Sequence, residues 1–166
     1  MKQHIKSLTL ACLITCGGIH LLNAEEAKSV NEQQTKEINW LTDYEKAKAL
    51  AKKESKPLFL YFTGSDWCSW CKKMDSEILS TAPFQQALGD AFIFVKLDFP
   101  ELTPLDPKLK KQNQELQKTF NVRGFPTIIL LDPDLKQIAT VGYHAGGGQV
   151  FATKVQKLLE AYSKKK

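Results

Sequence analysis

Three short apolar runs constrain the fold of this chain more than any other feature. They are Leu58–Phe62, "AFIFVKLD" at 91–98 and "TIILL" at 127–131. Continuous apolar runs of this length are typical of strands that are covered on both faces, as in a parallel sheet. Parallel strands need long crossover connections, which are usually helices. The runs therefore indicate an α/β fold.

The segments between the runs have helical patterns. "TDYE" from Thr42 resembles a capping box, and the residues from Trp40 to Ala51 include apolar positions at helical spacing. An Asp-Pro turn after the third run predicts a hairpin whose second strand spans 136–143. The predicted helices span 40–53, 68–80, a short piece from Pro83, 108–120 and 149–163. We therefore expect a central mixed β-sheet, with parallel strands and a C-terminal antiparallel hairpin, flanked by helices.

The N-terminal segment has the pattern of an export signal. A basic start precedes a mostly apolar run, Leu8–Leu22, and the small residue Ala24 stands before an acidic stretch. Such a signal predicts a periplasmic protein. The alternatives are an uncleaved membrane anchor and lipidation at Cys16. The predicted organisation is a signal peptide at 1–24, a flexible polar leader at 25–38 and a folded domain at 39–166.

Four cysteines bear on the chemistry. Cys12 and Cys16 fall in the predicted signal peptide, which leaves Cys68 and Cys71. A small domain held together by disulfides needs more pairs, spread along the chain, so the pair is not a structural staple. A metal site needs further ligands, and haem attachment needs a histidine after the second cysteine, where Lys72 stands. We expect neither a metal nor a cofactor.

The charge of the chain gives little indication of a partner. The formal net charge is +5, and Arg123 is the only arginine among 23 basic residues. Nucleic-acid recognition usually uses arginines and a basic stripe with aromatic residues interleaved. Here the lysines are spread along the sequence. We therefore expect a soluble lysine-rich surface, no nucleic-acid partner and a monomer.

Three motifs in order resemble those of the thioredoxin-fold family. "WCSWCK" at 67–72 is similar to its Trp-Cys-x-x-Cys-Lys site, and "VKLD" at 95–98 resembles its strand with a lysine beneath the site. "VRGFPT" at 122–127 is similar to the segment that carries its cis-proline. "YFTGSDWCSWC" is most similar to the small periplasmic group that includes DsbH-type proteins. The resemblance implies a thioredoxin-like fold and a thiol–disulfide oxidoreductase.

The resemblance assigns roles to the cysteines and to two lysines. Cys68 is the predicted nucleophile, because unpaired backbone N–H groups at a helix start favour thiolate. Cys71, one turn further, is the predicted resolving cysteine. Lys72 and Lys96 are predicted to support the site, with Lys96 beneath it.

Four further residues are predicted to bind substrate. Trp67 and Trp70 would form an apolar rim around the cysteines, although core packing is the alternative for Trp67. The resemblance implies a cis bond between Phe125 and Pro126, so that the backbone of Phe125 pairs with an extended substrate.

The chain departs from thioredoxins beneath the site. Thioredoxins carry a buried aspartate on the preceding strand that helps to move the resolving cysteine's proton, whereas Tyr61 and Phe62 stand here. Asp66 is expected in an exposed loop, and Lys96 is the only family-like charge expected beneath the cysteines. The sequence therefore leaves the proton acceptor of Cys71 open.

The residues between the cysteines bear on the direction of electron flow. Ser69 and Trp70 stand there, without the histidine that strongly oxidising relatives carry. We expect a potential between about −200 and −270 mV and a protein-disulfide reductase. Its partners would be protein disulfides and a membrane or periplasmic electron-donor protein. A disulfide oxidase with the same site and a non-catalytic peptide-binding or chaperone module are the alternatives.

A proline-rich stretch, "FPELTPLDP" at 99–107, is an insertion relative to a minimal thioredoxin. If its preceding strand runs parallel to Leu58–Phe62, the stretch starts at the same sheet edge as the Cys68 loop. It is then either a fixed wall beside the binding surface or a spacer that reaches the next helix.

Overall fold

The apolar runs form the middle of one five-stranded sheet. The structure, a computed structural model, describes residues 37–165. The predicted signal peptide, Cys16 and nearly all of the predicted leader lie outside these residues. The strands are β1 (Trp40–Leu41), β2 (Leu58–Thr63), β3 (Ile93–Asp98), β4 (Thr127–Leu131) and β5 (Gln137–Gly142). They lie in the order β1-β3-β2-β4-β5.

The sheet is mixed, as the sequence predicts. β1, β3 and β2 run parallel to one another, and β4 runs antiparallel to both β2 and β5. β2 and β3 end together, because Thr63 pairs with Asp98. The loops that follow them therefore start at the same edge of the sheet. The expected juxtaposition of the Cys68 loop and the proline-rich stretch is confirmed.

Helices cover both faces of the sheet. The helices are α1 (Tyr44–Glu54), α2 (Ser69–Met74), α3 (Ala82–Leu88), α4 (Pro107–Thr119) and α5 (Gly147–Ser163). α2, α3 and α5 pack on the face that carries Phe59 and Tyr61. α1 and α4 pack on the face that carries Leu60 and Phe62. Burial of each such large side chain stabilises the fold by about 1.5–3 kcal/mol, so the described domain is held by its two apolar layers.

The predicted start of the first helix is wrong. Trp40 belongs to β1, and its ring packs against Phe59, Tyr61 and Phe94. The helix begins after Asp43, the N-cap residue, whose carboxylate accepts a hydrogen bond from the N–H of Lys46. Trp40 lies on the opposite face of the sheet from α1. Its helical spacing from the apolar residues of α1 is therefore a coincidence.

The helix that follows the cysteines changes type within its length. α2 continues directly into a π-helical turn, Asp75–Leu79, in which the N–H of Ser80 donates to the carbonyl of Asp75. Together, α2 and the π-helical turn span residues 69–79, which matches the predicted helix at 68–80 within one residue at each end. The wider turn was not predicted, and turns of this kind occur frequently at functional sites.

Candidate active site

The two cysteines lie at the start of α2 and form a disulfide. Their Cα atoms are 5.2 Å apart. Cys68 is the N-cap residue, and its Sγ accepts a hydrogen bond from the backbone N–H of Cys71 at 3.1 Å. Cys68 is 6% exposed, whereas Cys71 is 0% exposed. An incoming sulfur atom therefore reaches Cys68 first, which is consistent with the predicted roles.

The turn before Cys68 is held at the end of β2. Ser65 donates its N–H at 2.9 Å and its hydroxyl at 2.6 Å to the carboxylate of Asp98. The N–H of Cys68 donates to the carbonyl of Gly64 at 2.9 Å. A side chain at Gly64 would collide with the indole of Trp67. The glycine and the aspartate thus place the cysteine at the helix start.

Three of the predicted substrate-binding residues lie on one side of Cys68. The Trp67 indole donates from Nε1 to the carbonyl of Phe99 at 2.8 Å, and its ring meets Phe125 edge-on at 6.0 Å between centroids. Trp67 is 42% exposed, so it is not a core residue. The bond between Phe125 and Pro126 is cis, which confirms the expectation. Trp67 and Phe125 therefore form a continuous aromatic surface with Phe99, whose ring lies 4.9 Å from that of Phe125.

Trp70 lies apart from that surface, against the end of the hairpin. It is 55% exposed, and its ring lies 5.3 Å from that of Tyr143. Lys73 places its Nζ 5.2 Å from the Trp70 ring centroid and 5.4 Å from that of Tyr143. Tyr143 in turn donates from its hydroxyl to Glu77, which raises the pKa of Tyr143. The sequence analysis missed Tyr143, which restrains the exposed indole.

The two predicted supporting lysines serve different parts of the site. Lys72 donates from Nζ to the carbonyl of Asp66 at 2.8 Å, so it stabilises the loop before the cysteines. Lys96 lies on β3 opposite Tyr61 and is half-buried. It faces the underside of α2, where it lowers the pKa of a neighbouring carboxyl, that of Asp75.

Asp75 is a carboxylate beneath the site that the sequence analysis missed. Its backbone N–H donates to the carbonyl of Cys71, one helical turn earlier. Its side chain is half-buried, and the hydroxyl of Tyr61 lies near enough to lower the pKa of its carboxyl. Asp75 is therefore a second ionisable group beneath the cysteines, beside Lys96, the family-like charge expected there. The i,i+4 spacing from Cys71 could have identified Asp75, since such residues share a helix face.

The environment of Asp75 raises the pKa of its carboxyl. Burial is the main cause, because it disfavours the charged form, and the charge of Asp98 adds to it. Lys96 and the nearby hydroxyl of Tyr61 act in the opposite direction. Burial also raises the pKa of Tyr61, which therefore stays a neutral hydrogen-bond donor. Asp75 is thus a half-buried carboxyl whose pKa lies above its ordinary value.

Asp66 ties the proline-rich stretch to the loop before the cysteines. Its carboxylate accepts hydrogen bonds from the backbone N–H groups of Glu101, Leu102 and Thr103 at 3.0, 2.8 and 2.9 Å. Partial burial raises the pKa of Asp66, but the three backbone donors outweigh it and lower the pKa below its ordinary value. Asp66 was expected in an exposed loop. Its carboxylate instead holds residues 101–103 beside the loop that precedes the cysteines.

Two further kinds of feature are absent from residues 37–165. Within residues 37–165, no cluster of three or more histidine, cysteine, aspartate or glutamate side chains has an arrangement that could hold a metal ion. The helices of the same residues include none with the length and apolar character needed to span a bilayer.

Comparison with known proteins places this geometry in a family. The Thioredoxin-like family model matches residues 39–133. A protein of Chlamydia pneumoniae named disulfide bond reductase DsbH is 33% identical over 153 residues, which are 92% of this chain and 90% of that protein. The chain spans less of a second relative from that organism, the thioredoxin-related protein DsbJ, which is 27% identical over 86% of this chain and 41% of its own length.

Solved structures agree with the family match. A structure titled DsbH oxidoreductase has a TM-score of 0.72 and 36% identity, with 75% of this chain and 86% of that chain covered. A thioredoxin from Thermus thermophilus shares the fold, with a TM-score of 0.56 at 22% identity over 75% of this chain and 88% of its own. The chain therefore belongs to the thioredoxin-like family and is a disulfide oxidoreductase of that family, built around the Cys68–Cys71 pair.

Proposed function

We propose that this protein reduces disulfide bonds of other proteins. The observation that carries the proposal is its 33% identity, over nearly the whole length of both chains, to a protein named as a disulfide bond reductase. The absence of a histidine between Cys68 and Cys71 supports the same direction. A histidine there would stabilise the reduced thiolate and make the pair more oxidising.

The reaction proceeds in two exchanges. The Cys68 thiolate attacks one sulfur of the substrate disulfide, forms a mixed disulfide and releases the other substrate sulfur as a thiolate. The Cys71 thiolate then attacks the Cys68 sulfur, which forms the Cys68–Cys71 disulfide and releases the second substrate thiolate. Two electrons pass from the dithiol to the substrate. The disulfide seen in the structure is the product of this half-reaction.

Asp75 takes the proton that Cys71 must lose before the second exchange. Cys71 is fully buried, so bulk solvent does not reach its sulfur. Asp75 lies on the same side of the helix, and the Tyr61 hydroxyl, which donates to the carbonyl oxygen of Cys71, also acts on the pKa of the Asp75 carboxyl. A carboxyl with a raised pKa holds a proton more readily near neutral pH than an exposed one. It replaces the strand aspartate that this sequence lacks.

Substrate and electron donor use the same sulfur, that of Cys68. Protein substrates contact Trp67, which precedes Cys68, and the cis-proline segment, since the ring of Phe125 meets that of Trp67 edge-on and the bond from Phe125 to Pro126 is cis. Trp70 adds an apolar contact on the side of Tyr143. A donor protein with a dithiol of its own, in the membrane or the periplasm, attacks Cys68 and regenerates the reduced pair. The pattern at 1–24 supports a periplasmic location.

The equilibrium potential of the Cys68–Cys71 pair tests the proposal. It is measured against glutathione buffers with the full domain, and the expected value is more reducing than about −200 mV. A value near the roughly −120 mV of DsbA would favour the oxidase instead. Alkylation of Cys68 separates the third alternative, because a reductase loses all activity whereas a peptide-binding module keeps its affinity.

A further inference from the structure

A groove beside the cysteines has no role in the exchange steps above. It has a volume of about 630 Å³ and lies between the proline-rich stretch and the cis-proline segment. This volume falls within the range of small-ligand pockets, about 300–1,000 Å³, so it is large enough for an apolar side chain. The groove is lined by Trp67, Asp98, residues 99–105, Lys110, Asn113, Gln114 and Phe125.

The groove is continuous with the surface that borders Cys68. Trp67 precedes the cysteine and Phe125 precedes the cis-proline, and both line the groove. Their rings are in contact with each other, and Phe99 extends the aromatic floor. A polypeptide whose cysteine reacts at Cys68 therefore has neighbouring residues within reach of the groove.

The outer wall of the groove is fixed before any substrate binds. Asp66 accepts the N–H groups of Glu101, Leu102 and Thr103, and the indole of Trp67 donates to the carbonyl of Phe99. This wall carries a large apolar side chain in water, because Leu102 is 79% exposed. A restrained wall loses little conformational entropy on binding, which favours affinity. The rigidity and the exposed leucine both suit an apolar occupant.

We propose that this groove is a specificity subsite for the polypeptide substrate. It receives an apolar side chain, such as leucine, that lies next to the substrate's disulfide cysteine, and packs it between Leu102 and the aromatic floor of Trp67, Phe99 and Phe125. The proposal rests on the proposed reductase function and adds the class of substrate. The proline-rich stretch is then a wall of the binding surface, not a spacer.

Two matched peptides test this subsite. Each is a short peptide with one internal disulfide. Leucine flanks the cysteines in the first peptide, and glycine flanks them in the second. Fully reduced protein is mixed with excess peptide in single turnover, and each rate constant is divided by that for dithiothreitol with the same peptide. We expect a preference for the leucine peptide of about tenfold or more, since small apolar contacts discriminate at this level. No preference in the native protein would overturn the proposal.

Leu102→Ser identifies the groove as the source of the preference. The side chain is exposed, so the substitution does not disturb the core. The ratio between the two peptides should fall below about threefold, a loss typical of one apolar contact. Val150→Ser is the control, because Val150 is 49% exposed on α5 outside the groove, and its ratio should equal that of the native protein. An unchanged ratio in Leu102→Ser, or an equal fall in both variants, would overturn the proposal.

Two further measurements separate the possible failures. Oxidised glutathione has no apolar side chain beside its cysteine. If the native protein reduces neither this compound nor either peptide, the reductase function fails together with the subsite. If the native protein reduces both peptides at equal rates, only the subsite fails. The oligomeric state is measured by analytical ultracentrifugation. If the native protein is a dimer and the Leu102→Ser variant is a monomer, the groove binds a second copy of the chain, and the proposal is overturned.

Discussion

The hydroxyl of Tyr61 lies 3.3 Å from the carbonyl oxygen of Cys71, to which it donates a hydrogen bond. The same hydroxyl lies near enough to the carboxyl of Asp75 for each group to shift the pKa of the other, so a strand residue links the turn of the resolving cysteine to the acid that follows it. Both Tyr61 and Cys71 are buried. The underside of the site is thus a polar cluster enclosed by the apolar layer between the sheet and α2.

Asp75→Asn should slow the second exchange step. The amide keeps the size of the side chain but cannot take the proton of Cys71, and general-base contributions amount to about a hundredfold or more. We expect mixed disulfides to persist at pH 7 and the rate to recover as the pH rises and hydroxide removes the proton. Quenched-flow measurement of the mixed disulfide from pH 5 to 9 reports this step. Glu160→Gln, a surface substitution on α5, is the control and should leave the profile unchanged. An identical pH profile for Asp75→Asn would exclude Asp75 as the acceptor.

The same substitution should make the oxidised protein more stable at neutral pH. The pKa of Asp75 is raised in the folded state, so its contribution to stability is fully present below the unfolded pKa of about 4 and is lost as the pH rises through the folded pKa. Asparagine carries no charge to bury at any pH. The free energy of unfolding of Asp75→Asn should therefore exceed that of the native protein at pH 7, and the difference should shrink towards pH 4. Urea titrations at both pH values measure it, and a variant that is less stable at pH 7 would contradict the prediction.

The polar cluster also shows which features the sequence could predict. The strands β2 and β3 were found because their apolar runs are long and uninterrupted, and the resemblance placed both cysteines and Pro126. Asp75 was missed because it is one of several polar residues in the helical segment at 69–79, although its i,i+4 spacing from Cys71 was available. Its two polar neighbours, Tyr61 and Lys96, come together only through the pairing of β2 with β3. Such a cluster depends on tertiary packing between distant segments.

Two other differences have separate causes. β1 contains two residues, Trp40 and Leu41, which is too short to show a period, and the helical spacing of Trp40 pointed elsewhere. The contact between Asp66 and residues 101–103 joins segments 35 to 37 positions apart. Its carboxylate looked like an ordinary surface charge in the sequence. Contacts of this kind need the sheet edge to be known first.

Substitution of each cysteine should separate their roles. Cys71→Ser leaves the accessible Cys68 free to attack but removes the group that resolves the adduct, so mixed disulfides with substrate should accumulate. Cys68→Ser should abolish reduction and form few adducts, because Cys71 is fully buried. Non-reducing gel electrophoresis of a mixture with an oxidised protein substrate detects the adducts. Adducts that form through Cys71 in the Cys68→Ser variant would reverse the assignment.

The last prediction concerns the contact that holds the outer wall of the groove. The three backbone N–H groups lower the pKa of Asp66, so its contribution to stability is present above the unfolded value of about 4 and is lost as the pH falls through the lower folded value. The amide resonances of Leu102 and Thr103 should therefore titrate with a midpoint below about 4 in NMR spectra.

Asp66→Asn should remove that titration and loosen the wall, because a neutral amide offers one weaker acceptor in place of a carboxylate. Limited proteolysis should then cut residues 99–105 faster at pH 7, while the potential of the cysteine pair stays the same, since no bond to either sulfur changes. Glu101→Gln is the control: it removes a carboxylate from the same stretch without removing any of the three hydrogen bonds that Asp66 accepts. Equal proteolysis of the two variants would show that the prolines alone fix the wall, and the contact with Asp66 would then have no part in shaping the groove.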